Sequence, residues 1–179
     1  MSTEHPDGRR PDVVVIMTDE ERAAPVYASA ALGRWRQRTL VSWRWWDDHA
    51  VRFGRHYTGS LACVPSRPTL FTGQYPDVHG VTQTDGLGKM ADDSRMRWLP
   101  SDEVPTLGHW FRAAGYDTHY DVKWHISHAD LRDPESGETL ATNDDDGVVA
   151  PDAVRTYLDA DRLATWGFSG WIGPEHHGG

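Results

Sequence analysis

A single cysteine, Cys63, is the first scarcity, and it excludes any disulfide within the chain. A long apolar run is lacking too. The longest candidate, "PDVVVIM", has the length of a strand and falls far short of the roughly 20 residues that cross a bilayer. Positive charge is in deficit, with 18 Lys and Arg against 27 Asp and Glu and a formal net charge of −9. That balance argues against nonspecific attraction to nucleic acid or to a membrane surface. The opening "MSTEHPDGRRPD" is polar and has no apolar secretory core, so the expected compartment is the cytoplasm.

What is present suffices for one compact core: 179 residues, 38% of them hydrophobic. Residues 1–11 read as a loose tail and residues 12–179 as the domain. "DVVVIM" is β-branched and continuously apolar, as expected of a strand covered on both faces in an α/β sheet, and it runs into the acidic "TDEER". The acids thus fall at the carboxyl end of a strand, where open α/β sheets place ligands. Leu32, Trp35, Leu40, Trp43, Trp46 and Val51 fall near helical spacing and predict a helix over Ser29 to Phe53. "RHYTGS" alternates like a short strand.

In "CVPSRPTLFTG", Pro65 and Ser66 mark a helix start, and Gly73 closes the helix after Thr72. "TLGHWFRAAGY" puts Leu107, Trp110, Phe111 and Ala114 on one helical face and stops at Gly115. "DTHYDV" follows as a strand that delivers "KWHISH" to its end. A further helix is expected over Asp152 to Leu163. "NDDDG" lacks the alternation and the distal glutamate of a calcium loop and reads as a solvated turn. Acids concentrate between Asp130 and Asp161, whereas Gly33 to Tyr57 is locally basic, so an anion-handling site is expected in the first two thirds.

Three groups could carry chemistry. Asp19 and Glu20 read either as solvated acids of a loop or as oxygen ligands for a hard divalent cation. Cys63 reads either as a small hydrophobe or as a reactive group just before a helix N-terminus, where unpaired N–H groups favour an anion and Arg67 stands one turn on. Lys123 and His125 alternate, so on a strand they share a face, with His128 nearby. They read as an exposed strand end or as charge neutraliser and proton acceptor. A zinc site at His125 and His128 finds no further ligand at a recognisable spacing.

Together these residues resemble the formylglycine-dependent sulfatases of the alkaline phosphatase superfamily. "CVPSRPTLFTG", continuing into "QYPDVHGV", is similar to that family's C-x-P-S-R signature. "TLGHWFRAAGYDTHYDVKWH" is similar to its helix, A-G-Y turn, strand and G-K-W-H segment, and "VVVIMTDEER" to its strand ending in paired acids. The blocks come in the family's order and span Asp12 to His125.

The resemblance implies an α/β fold, the N-terminal part of a mixed-sheet three-layer sandwich that is incomplete at the C-terminus. It implies that a separate formylglycine-generating enzyme oxidises Cys63 to an aldehyde, whose hydrate attacks the sulfur of a small-molecule sulfate monoester beside a divalent metal. By matching position, Asp19, Glu20 and the modified Cys63 are the expected metal ligands, with Ca²⁺ favoured over Mg²⁺ or Mn²⁺. Arg67 would steady the nucleophile, Lys123 would bind the sulfate, and His125 would take the proton that releases it. Val122 replaces the family's usual glycine before K-W-H. The family's second metal-ligand pair has no counterpart here, so an incomplete portion of a sulfatase is expected. Phosphonate or phosphate monoester hydrolysis, an inactive truncated product that only binds anions, and a thiol hydrolase using Cys63 and His125 are the rival readings.

Overall fold

The computed structural model describes residues 10–19, 24–86, 88–144 and 146–175. The chain divides into two units, Met1–Arg55 and His56–Gly179. In the first, α1 (Ala30–Thr39) begins where the Ser29 hydroxyl accepts the Leu32 N–H at 3.2 Å, and it ends as Leu40 turns out of helical geometry. α2 (Val41–His49) follows directly, so the single helix expected over Ser29 to Phe53 is two helices with a break at Leu40. Its aromatics meet each other more than a core. Trp45 stacks on His49 at 4.7 Å, Arg52 lies over Trp43, and neither helix holds a buried residue.

The strand expected at "DVVVIM" does not form. Residues 12–17 have no regular structure, and Val14 and Ile16 are each 79% exposed. A strand satisfies its N–H and C=O groups only against a neighbour, and no described residue pairs with this segment. "RHYTGS" forms no strand for the same reason, whereas "DTHYDV" does find a partner in Ser169 but over a single bridge, too short to make a strand. Among the described residues β-pairing is confined to four isolated bridges, one of them the parallel contact between His119 and Ser169.

The second unit is built on α3 (Cys63–Thr72), α4 (Pro76–His79), α5 (Leu107–Ala113), α6 (Pro151–Ala160) and a 3₁₀ turn at Ala164–Trp166. α3 ends where Gly73 takes φ +70°, a left-handed conformation that costs glycine no steric penalty. α4 has proline in its first turn. The core beneath them is aromatic. Trp124 is fully buried and meets the edges or faces of Phe71, Tyr120, Phe168 and Trp166 at centroid distances of 5.0–6.0 Å. Val64, Val81, Leu99, Ile126, Ala129, Tyr157, Leu163 and Trp171 complete it. Trp124 therefore anchors the "KWH" segment from below and leaves Lys123 and His125 at the edge of the packed region.

Side-chain hydrogen bonds tie α3 to α4. His79 is buried; its Nδ1 accepts the Val81 N–H at 3.1 Å, which leaves the proton on Nε2, 3.1 Å from Thr69 Oγ1. The Thr69 hydroxyl donates onward to the Pro65 carbonyl at 3.0 Å. Burial holds the His79 pKa below its ordinary value, consistent with a neutral ring in this relay.

Candidate active site

Cys63 is the first residue of α3, partly buried, with its carbonyl accepting the Ser66 hydroxyl at 3.1 Å. Lys123 Nζ approaches its Sγ to 4.0 Å. Sequence separation between the two is 60 residues, and the bridge across it is Arg67. One turn along α3 and 6% exposed, Arg67 donates from Nη1 to the carbonyls of Lys123 and Trp124, at 2.5 and 3.2 Å, and to Tyr120 Oη at 3.2 Å. Tyr120 in turn donates to the Lys123 carbonyl at 2.6 Å. A buried guanidinium thus binds the backbone of the segment that carries Lys123 and His125.

That segment is not the strand expected from its alternation. Val122 and His125 both have positive φ, +70° and +53°, so the chain bends on either side of Lys123 and Trp124. The backbone N–H of His125 donates to Glu175 Oε2 at 2.9 Å, and His125 Nε2 lies 2.8 Å from Asp85 Oδ1. Burial lowers the His125 pKa below its ordinary value, with Asp85 opposing this and Lys123 and Arg67 adding to it. His128 stacks on Trp98 at 6.2 Å, and the described residues contain no group of three His, Cys, Asp or Glu that could hold an ion.

Cys63, Arg67, Lys123 and His125 therefore belong to one unit. Asp19 is exposed in the other unit, and Glu20 lies outside the described residues. Two residues the sequence did not single out stand beside His125. Asp85 lies four residues after Val81, and Glu175 in the "PEHHG" stretch. Glu175 is 8% exposed, and its second oxygen accepts the Ala129 N–H at 3.2 Å. Burial first, and then Asp130, push its carboxyl up to about 8.

The family model for sulfatases matches residues 11–175, nearly the whole chain. The chain belongs to the sulfatase family. Curated sulfatases agree. The uncharacterized sulfatase YidJ of Escherichia coli is 30% identical over 120 residues, 66% of this chain and 20% of that protein. An ulvan-active sulfatase of Formosa agariphila is 30% identical over 118 residues, covering 65% of this chain and 20% of its own length. An extracellular sulfatase SULF-1 homolog of Drosophila melanogaster is 30% identical over 119 residues and is covered over 9% of its length. The chain thus spans about a fifth of the first two sulfatases it matches. No solved structure matches.

Sulfatase membership implies an alkaline phosphatase-like α/β fold, of which the described residues show the helices and the isolated bridges. None of the described helices is long and apolar enough to cross a membrane.

Proposed function

We propose that this chain carries the nucleophile half of a sulfatase site and acts on small-molecule sulfate monoesters after a separate formylglycine-generating enzyme has converted Cys63 to formylglycine. The observation that carries the reading is the 4.0 Å approach of Lys123 Nζ to Cys63 Sγ at the start of α3. The Sγ position marks where a hydrated aldehyde would present its two oxygens. An ammonium there offsets the charge of a tetrahedral anion bonded to one of them, and the unpaired N–H groups of the first helical turn add to it. Arg67 fixes the backbone on which Lys123 stands. His125, a neutral imidazole in this environment, takes the proton whose departure frees the sulfate.

A divalent cation belongs to the same reading, Ca²⁺ ahead of Mg²⁺ or Mn²⁺, with Asp19, Glu20 and the oxygen derived from Cys63 as donors. Hard oxygen donors suit such an ion. Asp19, Glu20 and that oxygen are fewer than the about six to eight donors a calcium ion takes, so these residues would form only part of its shell. When bound, the ion would supply stabilisation of the deprotonated nucleophile.

Two measurements test the reading. Peptide mass spectrometry across Cys63, on material from an aerobic host that has the modifying enzyme, should find the aldehyde; an unmodified thiol would overturn the formylglycine chemistry. Paired kinetics on aryl sulfate and aryl phosphonate should favour the sulfate. A large preference for the phosphonate would move the substrate class to phosphonate or phosphate monoesters, and no turnover of either would leave an anion-binding product.

A further inference from the structure

We propose that Asp85 is the positioning residue of His125: it holds the imidazole with its proton on Nε2, so that Nδ1 carries the lone pair that receives the proton in the hydrolysis proposed above. The contact is short and sheltered. Nε2 stands 2.8 Å from Asp85 Oδ1, and the two side chains are 14% and 10% exposed. A carboxylate can only accept, so the hydrogen bond requires Nε2–H and leaves Nδ1 as the acceptor of the ring.

Nδ1 supports this independently. It is buried and has no hydrogen-bond partner among the described residues. The opposite tautomer would place an unpaired N–H in that buried position and set the Nε2 lone pair against the carboxylate, two penalties at once. Buried polar atoms are nearly always paired, and an unpaired imidazole nitrogen is where a transferred proton can go.

The ring is also held from other sides. Its backbone N–H is fixed by Glu175 at 2.9 Å, and the Trp98 ring lies 5.8 Å away. Asp85 itself leads into a tight turn, in which Gly86 and Lys89 exchange hydrogen bonds at 2.8 and 3.2 Å. The charged groups that act on the imidazole are Asp85, which favours its protonation, and Lys123 and Arg67, which oppose it. In the transfer, the free hydroxyl of the sulfated hydrate gives its proton to Nδ1, and its O–H electron pair forms the aldehyde C=O. The C–O bond to the sulfate breaks and sulfate leaves with the pair of that bond; the resulting imidazolium keeps its Nε2–H on Asp85. No other bond changes at the ring.

Side-chain nitrogen NMR of the folded chain tests this, with His125→Gln identifying the resonances. The wild type should show a single tautomer, Nε2 protonated and Nδ1 bare. Asp85→Asn, which keeps an acceptor of the same shape, should retain the tautomer but titrate His125 at lower pH. Asp85→Ala should lose the single tautomer. A proton on Nδ1 in the wild type, or an unchanged tautomer and titration in both variants, overturns the proposal. Because the tautomer is read without substrate, failure of ester hydrolysis leaves it standing, and its own failure leaves hydrolysis to the assays above.

Discussion

The guanidinium of Arg67 donates to the carbonyl of Lys123 at 2.5 Å, across 56 residues of sequence. An arginine that the sequence assigns to an anion site is thereby also a structural part of the turn bearing the site's lysine. Lysine in its place would keep the charge, but its side chain is one atom shorter than the arginine's path to Nη1, the nitrogen that reaches Lys123, Trp124 and Tyr120. Arg67→Lys should therefore lower stability by about 1.5–3 kcal/mol, the usual worth of hydrogen bonds to a charged group. Urea unfolding followed by tryptophan fluorescence measures this, and an unchanged midpoint would restrict Arg67 to chemistry.

Val122 is a β-branched residue at φ +70°, where L-residues with a branched Cβ are outliers. Its side chain is 53% exposed, so little burial is lost on removing it. Left-handed geometry costs such a residue about 1–2 kcal/mol, against about 0.5–1 kcal/mol of extra chain entropy for glycine. Val122→Gly should thus raise stability by up to about 1 kcal/mol, or about 2–4 °C in Tm for a chain of this size. Glycine is also what sulfatases usually carry before K-W-H. A lower Tm would show that the surroundings have adapted to valine.

Glu175 ties stability to pH. In the folded chain its carboxyl keeps its proton up to about pH 8, whereas unfolded it releases it near its ordinary 4.5. The folded state binds the extra proton between those values, so the contribution is complete below about 4.5 and is lost as pH rises toward 8. Denaturant midpoints across that window should fall with rising pH. Glu175→Gln, which does not titrate and can still accept from His125 or Ala129, should flatten the slope. A slope that survives the substitution would place its origin in other groups.

These cases mark which parts of the molecule the sequence discloses. α3 is legible because helix signals are local: Gly73 in left-handed geometry ends it as expected, while Pro65 and Ser66 mark its first turn, which Cys63 opens two residues earlier than they suggest. α5 and α6 are legible for the same reason. Strands are not, since "DVVVIM" and "DTHYDV" carry the right residue types but depend on distant neighbours for their hydrogen bonds. The site divides likewise. Cys63, Arg67, Lys123 and His125 announce themselves through motifs, but their geometry does not. Alternation put Lys123 and His125 on one face of a strand, whereas two positive φ values bend the chain there. Asp85 and Glu175 stand 40 and 50 residues from His125 and belong to no motif, so only the packed chain reveals them.

In α5, beside the aromatic core, propensity and packing oppose each other. Gly108 is the second residue of α5, where alanine would be favoured by at most about 0.8–1.0 kcal/mol on helix propensity alone. A Cβ at that position would stand 2.5 Å from the Gly167 carbonyl oxygen and 2.8 Å from Phe168 Cε2. The obstacle at 2.5 Å is backbone, already held where the Gly167 carbonyl accepts the Thr118 hydroxyl at 2.5 Å, so it cannot swing aside as a side chain would. Overpacking of that kind costs about 1–3 kcal/mol, which exceeds the helical gain. Gly108→Ala should therefore destabilise the second unit and loosen Phe168 against Trp124, read as a lower Tm together with a red-shifted tryptophan emission. A gain in stability would mean that α5 can move away from the Ala164–Trp166 turn without disturbing the aromatic core under Lys123 and His125.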